Sequence, residues 1–338
     1  MSLEAKEKLA FELIEQGNKD QAVKVLYELI VSHAESGHFD KADSLRQTLM
    51  DTDAMALTEI INSGEIIEDL KSKGINPDFR KTWHPLFETL SPEEANGFYY
   101  ALKTVQVGPG KTIIQQGKIN DKLFFIHSGQ AKTICHSGPD EVMLKVVTSG
   151  EVSGMSSFFA ISLATTTVIT VNTVQLSYLT RKKFLELMDK FPGFDTKFDD
   201  LCRTFVKTKS SDIIREQNAD RRGFKRFKAA GKVATFIIGA DGQPSTKPLY
   251  GLLDDISRGG ASFLIKSSKK EAARSLLGRS AIIKLISSNP ADKSTETKKG
   301  IVTGLQDQLF NDYMLSFKFY KPLAQDVVAQ FIKKETEE

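Results

Sequence analysis

The 338-residue chain carries 46 Lys and Arg against 43 Asp and Glu, a net charge of +3. That excess is too small for a protein that coats nucleic acid, so any anion site has to be local, and the length suits two or three domains with separate cores. Cys135 and Cys202 show neither framework nor thiolate-ligand spacing, the start MSLEAKEKLAFELIEQG is charged throughout, and no apolar run nears the ~20 residues of a spanning helix, so a soluble protein of the reducing cytoplasm is expected.

Residues 4–74 read as helices, with Leu9, Leu13, Val25, Leu26, Leu29, Ile30 and Leu45 at helical spacing and Gly17 and Gly37 at the connections. GNKDQA and GHFDKA each carry an alanine five residues after the glycine. The recurrence resembles a short tetratricopeptide-type array over 1–76, and a plain helical hairpin bundle explains it equally well. After SKGINPDF, a turn-rich joint with Pro77, the pattern changes to short glycine-punctuated strands: VQVGPGKTIIQQG, KLFFIHSGQAKTICHSG, EVMLKVVTSGEVSG and TTTVITVNTVQLSYLT. Two helices follow, the second long, with an apolar stripe of Phe194, Phe198, Leu201, Phe205 and Ile213. Residues 192–213 are expected to pair with their counterpart in a homodimer. From 229 to 338 a second strand-rich region contains the polar loop SSNPADKSTETKKG and closes on a helix, PLAQDVVAQFIKKETEE. The class is multidomain α+β: a helical module, a β-roll with flanking helices, and a β-barrel.

HPLFETLSPEEANGFYYALKTVQVGPGKTIIQQGKINDKLFFIHSGQAKT resembles the cyclic-nucleotide-binding domains of the catabolite activator family, a likeness covering 83–208. It includes PGKTIIQQG, the turn glycine Gly129, and SGEVSGMSSFF where the family's phosphate cassette lies. The resemblance implies a glutamate for the ribose and an arginine for the cyclic phosphate. Here Met155, after Gly154, stands at the glutamate position, and Thr165 and Thr166 stand where the arginine and its small hydroxyl neighbour belong. Each lost charged contact is worth ~1.5–3 kcal/mol, so ordinary cyclic mononucleotide binding should weaken by orders of magnitude. Amides of Ser156 and Ser157 and hydroxyls of Thr165 and Thr166 remain as donors. Two readings stay open: a structural or dimerising barrel, and an altered cyclic AMP pocket.

RRGFKRFKAAGKVATFII and LYGLLDDISRGGASFLI resemble the two signatures of the PilZ family, whose members bind cyclic di-GMP. Arg222 and Arg226 form Arg-x-x-x-Arg on the junction 209–228, while Asp255, Ser257 and Gly260 form Asp-x-Ser-x-x-Gly in the domain 229–338. The chemistry agrees, since a planar guanidinium grips phosphate or a guanine edge bidentately. A carboxylate accepts from guanine N1 and N2 groups, Ser257 offers a hydroxyl, and Gly260 allows close backbone approach. The resemblance also implies that Arg221 stacks on a guanine of an intercalated ligand dimer. Repulsion among the junction arginines is expected to leave that segment mobile until a ligand draws Arg222 and Arg226 onto the face of Asp255.

The expected function is thus a cyclic di-GMP receptor and not an enzyme. His33, His38, His84, His127 and His136 lack metal spacing, and no nucleophile or phosphate-loop motif occurs, so no metal or cofactor is expected. A transcription regulator is the alternative class, although no helix-turn-helix follows Arg215.

Overall fold

Two glycines at matching places organise the start of the chain. In a computed structural model that describes residues 2–137, 140–205, 224–239, 241–266, 270–287, 294–307 and 312–333, α1 (Leu3–Glu15), α2 (Lys19–Glu35), α3 (Phe39–Thr52) and α4 (Leu57–Gly74) form an all-helical cluster. Gly17 and Gly37 both take φ 75°. The next residue reaches back in each case, Asn18 N–H to Leu13 O at 2.9 Å and His38 N–H to His33 O at 2.9 Å, which is the left-handed helix stop that glycine permits. Ala22 and Ala42, the alanines of the two repeated pieces, are fully buried, Ala42 in a core with Leu26, Leu29, Ile30, Leu45 and Leu49.

The turn-rich joint does not lead straight into strands. Three short helices intervene, α5 (Pro77–Thr82), α6 (His84–Thr89) and α7 (Pro92–Ala101), each with proline in its first turn. Ser91 Oγ accepts from Glu94 N–H at 3.2 Å and the Glu94 carboxylate accepts from Ser91 N–H at 2.9 Å, a capping box that SPEE already spells. The chain divides into two units: Met1–Leu102 with Lys183–Leu201, and Lys103–Lys182 with Cys202–Glu338. The first therefore includes most of α9 (Arg181–Lys190) and α10 (Phe194–Thr204).

That placement accounts for the apolar stripe of α10. Phe194 and Phe198 are fully buried and stacked at 5.1 Å, Phe198 meets Phe98 of α7 at 5.0 Å, and Lys197 reaches Glu94 at 2.9 Å. Leu201 and Phe205 are buried too. The stripe expected to pair with a second chain is spent inside this one, because large aromatic side chains bury most of their area against the nearest helices. Ile213 and the rest of the expected long helix lie outside the described residues.

The second unit begins with β1 (Lys103–Val107), β2 (Thr112–Ile114), β3 (Lys122–Ser128), β4 (Ala131–Ser137), β5 (Asp140–Val147), β6 (Val152–Ser153), α8 (Met155–Phe158), β7 (Ile161–Ser162), β8 (Thr167–Thr170) and β9 (Val174–Thr180). Two four-stranded sheets, β1-β9-β3-β6 and β2-β8-β4-β5, make a β-roll around Ile126, Val147, Val168 and Leu176. At Gly129 (φ 85°) a Cβ would clash with the Thr173 carbonyl, so this turn requires glycine.

The C-terminal part contains β10 (Phe227–Lys228), β11 (Gly231–Ile237), β12 (Leu249–Ser257), β13 (Gly260–Lys266), α11 (Lys270–Arg274), β14 (Ser280–Ser287), β15 (Thr295–Asp307), β16 (Asp312–Phe319) and α12 (Gln325–Ala329). Strands β12, β11, β14, β15, β16 and β13 close into an antiparallel barrel through the β12–β13 pairing, with β10 added beside β12. Two expectations need correction. Half of the polar loop is strand, since Thr295–Lys299 of β15 pair with β14, and alternation lets one polar side of a strand face outward. The closing helix is a single turn: Val328 and Phe331 are drawn into the barrel core and Ile332 bridges to Ala229, so the chain leaves helical geometry to plug the barrel.

Candidate functional site

The Asp-x-Ser-x-x-Gly pattern straddles a tight hairpin. Ser257 pairs with Gly260, leaving Arg258 and Gly259 as the turn, and a register shift between Leu253 and Asp255 breaks the regular pairing of β12 with β13 just before it. Asp255 sits opposite Lys228 on one side and Ser262 on the other. Arg226, two residues before Lys228, lays Nη1 3.4 Å from each Asp255 carboxylate oxygen and 3.3 Å from Ser262 Oγ. The Arg226 side chain keeps 46% of its area exposed and that of Asp255 keeps 20%. Arg226 thus lies on the face of Asp255. Arg221 and Arg222 lie outside the described residues, as does most of the junction.

The remaining signature residues act inside the protein. Ser257 is buried and its hydroxyl donates to Gly260 O at 3.2 Å. A Cβ on Gly260 would collide with the Phe317 carbonyl, and one on Gly259 would lie 2.7 Å from the Phe224 ring. Both glycines therefore let neighbouring groups pack on the hairpin. Phe224, inside the first signature, is also covered by the Arg258 guanidinium at 5.0 Å, and Arg258 Nε donates to Leu323 O at 3.0 Å. The two signatures are joined by this stack as well as by the Arg226–Asp255 pair. Ser262 and Arg258 were not singled out in the sequence; the strand alternation from Gly260 places Ser262 two residues on, on the same side of the sheet.

The corresponding region of the β-roll is bonded differently. Gly154 takes φ 97°, and a Cβ there would meet Lys122 O at 2.9 Å. Ser157 is buried: its Oγ accepts from Asn120 Nδ2 at 3.0 Å and donates to Gly154 O at 3.2 Å, and its carbonyl accepts from Arg181 Nη2 at 2.6 Å. Its N–H is turned onto Gly154 O at 3.2 Å. Met155 and Thr166 are half-buried, and Ser156 and Thr165 are exposed. Within the roll, Lys145 pairs with Glu151 at 3.3 Å, and Glu151 also accepts from Thr148 N–H at 2.8 Å. Thr133, opposite Lys145 in the sheet, has a buried hydroxyl without a hydrogen-bond partner among the described residues. No local pattern announces this interior ion pair, whose members come from a strand and the turn after it.

Residues 104–191 match the family model of the cyclic nucleotide-binding domain. Over 119 residues the chain is 27% identical to the cAMP-dependent protein kinase regulatory subunit of Colletotrichum orbiculare, covering 35% of this chain and spanning only 30% of that relative's length. Among solved structures, the cyclic nucleotide-binding domain from Methylobacillus flagellatus aligns at 14% identity over 41% of this chain and 83% of that one, with a TM-score of 0.36. The catabolite activator protein of Thermus thermophilus aligns at 22% identity over 40% of this chain and 63% of that one, with a TM-score of 0.32.

Proposed function

With a cyclic nucleotide-binding domain at residues 104–191 as premise, we propose that the chain is a nucleotide-signal receptor whose effector site is the hairpin face of the C-terminal barrel, and that its ligand is cyclic di-GMP. The observation carrying this reading is the Arg226–Asp255–Ser262 cluster. A half-exposed guanidinium lies over a carboxylate and a serine at contacts of 3.3–3.4 Å, long for charge-assisted bonds, so donor capacity remains for an incoming phosphate or guanine edge. The PilZ-like order of the two signatures supports it, with Arg222 supplying a second guanidinium and Arg221 a stacking partner.

Signal output fits a receptor that acts through contacts between its domains. Ile161 and Ser162, just after the cassette helix, pair with Leu305 and Gly304 of β15, so β-roll and barrel share one sheet. A ligand shifts such an assembly by its differential affinity for two arrangements. Calorimetric titration of the full chain tests the assignment: micromolar or tighter binding of cyclic di-GMP is expected, and equal affinity in Arg226→Ala and Arg222→Ala would sink the site.

A second reading has one observation in its favour. The buried, unpartnered Thr133 hydroxyl beside Lys145 leaves a polar group inside the roll for a cyclic mononucleotide to satisfy. The Colletotrichum relative is named as cAMP-dependent. Cyclic AMP and cyclic GMP in the same calorimeter, with Thr133→Val as control, decide it.

A further inference from the structure

Alternation along the barrel strands sends Val233, Leu253, Phe263, Ile283 and Leu285 into the core and their sequence neighbours outward. On the outer wall the register sets Thr295, Ile286, Lys232, Leu252, Leu264 and Met314 in one row across β15, β14, β11, β12, β13 and β16. The next row holds Lys284, Ala234 and Tyr250, with Lys266 one step past the Gly251–Ile265 pair. Tyr250 is 72% and Leu252 59% exposed, and the three lysines are exposed beside them. None of these lysines forms an ion pair among the described residues. Where the wall reaches the two signatures the charges are matched instead, Lys228 to Asp254 at 3.0 Å and Arg226 to Asp255 at 3.4 Å.

The helical module carries the opposite combination. Residues 47–70 hold six carboxylates and no lysine or arginine. Glu68 pairs with Lys71 and Asp69 with Lys73, whereas Asp51, Asp53, Glu59 and Glu65 form no ion pair among the described residues. Met55, between α3 and α4, is 81% exposed, and Leu57 and Ile61 of α4 are each more than half exposed. Leu57, Ile61 and Glu65 follow one another at intervals of four residues and so share one face of α4. The Asp53 carboxylate accepts from Met55 N–H at 2.9 Å, which fixes the turn that displays Met55. An apolar corner fringed by carboxylates is the complement of an apolar wall set with lysines, whose stems lie along apolar surface while their ammonium groups reach the rim.

We infer that the chain binds a second copy of itself head to tail: the α3–α4 corner of one copy seats Met55, Leu57 and Ile61 on the Tyr250–Leu252 wall of the other, and Lys232, Lys266 and Lys284 face its carboxylates. The two surfaces differ, so the contact is heterologous. Made reciprocally it closes a pair, and made once it leaves a free corner and a free wall for further copies. It uses neither Arg226 nor Asp255.

Sedimentation of the full chain tests this. Association is expected at about 0.05 M salt and at least tenfold weaker association at about 0.5 M, because salt screens exposed charges. Lys232→Glu/Leu252→Ser breaks the wall and Leu57→Ser/Glu65→Lys breaks the corner, so each variant alone should sediment as a monomer where the wild type associates. All four side chains are exposed, and both variants should keep the wild-type melting temperature. Lys232→Arg retains the charge and must retain the association, which separates a lost contact from a damaged fold. An equimolar mixture of the two variants brings one intact corner to one intact wall and should restore a two-chain species. A wild type that stays monomeric throughout, association undiminished in either variant, or a mixture that remains monomeric overturns the contact. Binding of a monomeric wild type to phosphatidylcholine–phosphatidylserine vesicles, lost in the wall variant, would overturn it too and give the wall to a membrane surface.

Discussion

Ser157 of the cassette is bonded through its hydroxyl, its amide and its carbonyl, the last to Arg181 at 2.6 Å, whereas Arg226 on the C-terminal barrel rests on contacts no shorter than 3.3 Å. Both clusters are built from small polar residues, glycine and an arginine beside a tight turn. They differ in satisfaction: the hydroxyl, amide and carbonyl of Ser157 are matched from within, so removing a partner strands one of them, while the barrel's guanidinium is half-exposed and held by longer contacts. Matched clusters hold a fold together, and loosely matched ones are free to exchange partners with a ligand.

Arg226→Ala sharpens this contrast most. It should weaken cyclic di-GMP binding by about 10- to 150-fold, equivalent to ~1.5–3 kcal/mol, and shift stability by no more than ~0.5 kcal/mol. A large fall in the urea midpoint would break the comparison by making Arg226 structural. Asn120→Ala should behave in the opposite way. Asn120 donates to Lys122 O at 2.7 Å and to Ser157 Oγ at 3.0 Å, so its loss should cost ~1–3 kcal/mol in urea denaturation and leave cyclic di-GMP affinity alone. Gly260→Ala forces a methyl group onto the Phe317 carbonyl and should destabilise the barrel by ~1–3 kcal/mol.

Asp255→Asn is expected to lower cyclic di-GMP affinity less than Arg226→Ala and with a weaker dependence on salt, because a guanine edge carries no net charge while a phosphate does. Matching salt slopes for the two variants would show that Asp255 acts only through Arg226. The smallest effect is in pH. His127, bonded to Ser177 Oγ at 2.7 Å, is held by burial at a pKa of about 4, below its ordinary 6.5. The unfolded chain therefore takes up a proton that the folded chain refuses, and stability should fall as pH drops from 6.5 toward about 4. His127→Gln should flatten that part of the melting curve; an identical slope would assign it to other groups.

Local pattern determined much of this protein. Gly17 and Gly37 end helices, glycine-punctuated runs form the roll and barrel, and the two arginine and aspartate signatures flank paired strands, because backbone conformation and apolar periodicity act within a few residues. Three things came only from tertiary structure. The phenylalanines of α10 present the same periodicity to a dimer partner or to α7, and only the chain path chooses between them. The sequence pattern presents Ser257 and Gly260 as ligand contacts, and only the fold shows the Ser257 hydroxyl bonded to Gly260 O and the Phe317 carbonyl close beside Gly260. The pairing of β7 with β15 joins residues far apart in sequence, and no short-range pattern encodes a contact between two separately folded β-structures.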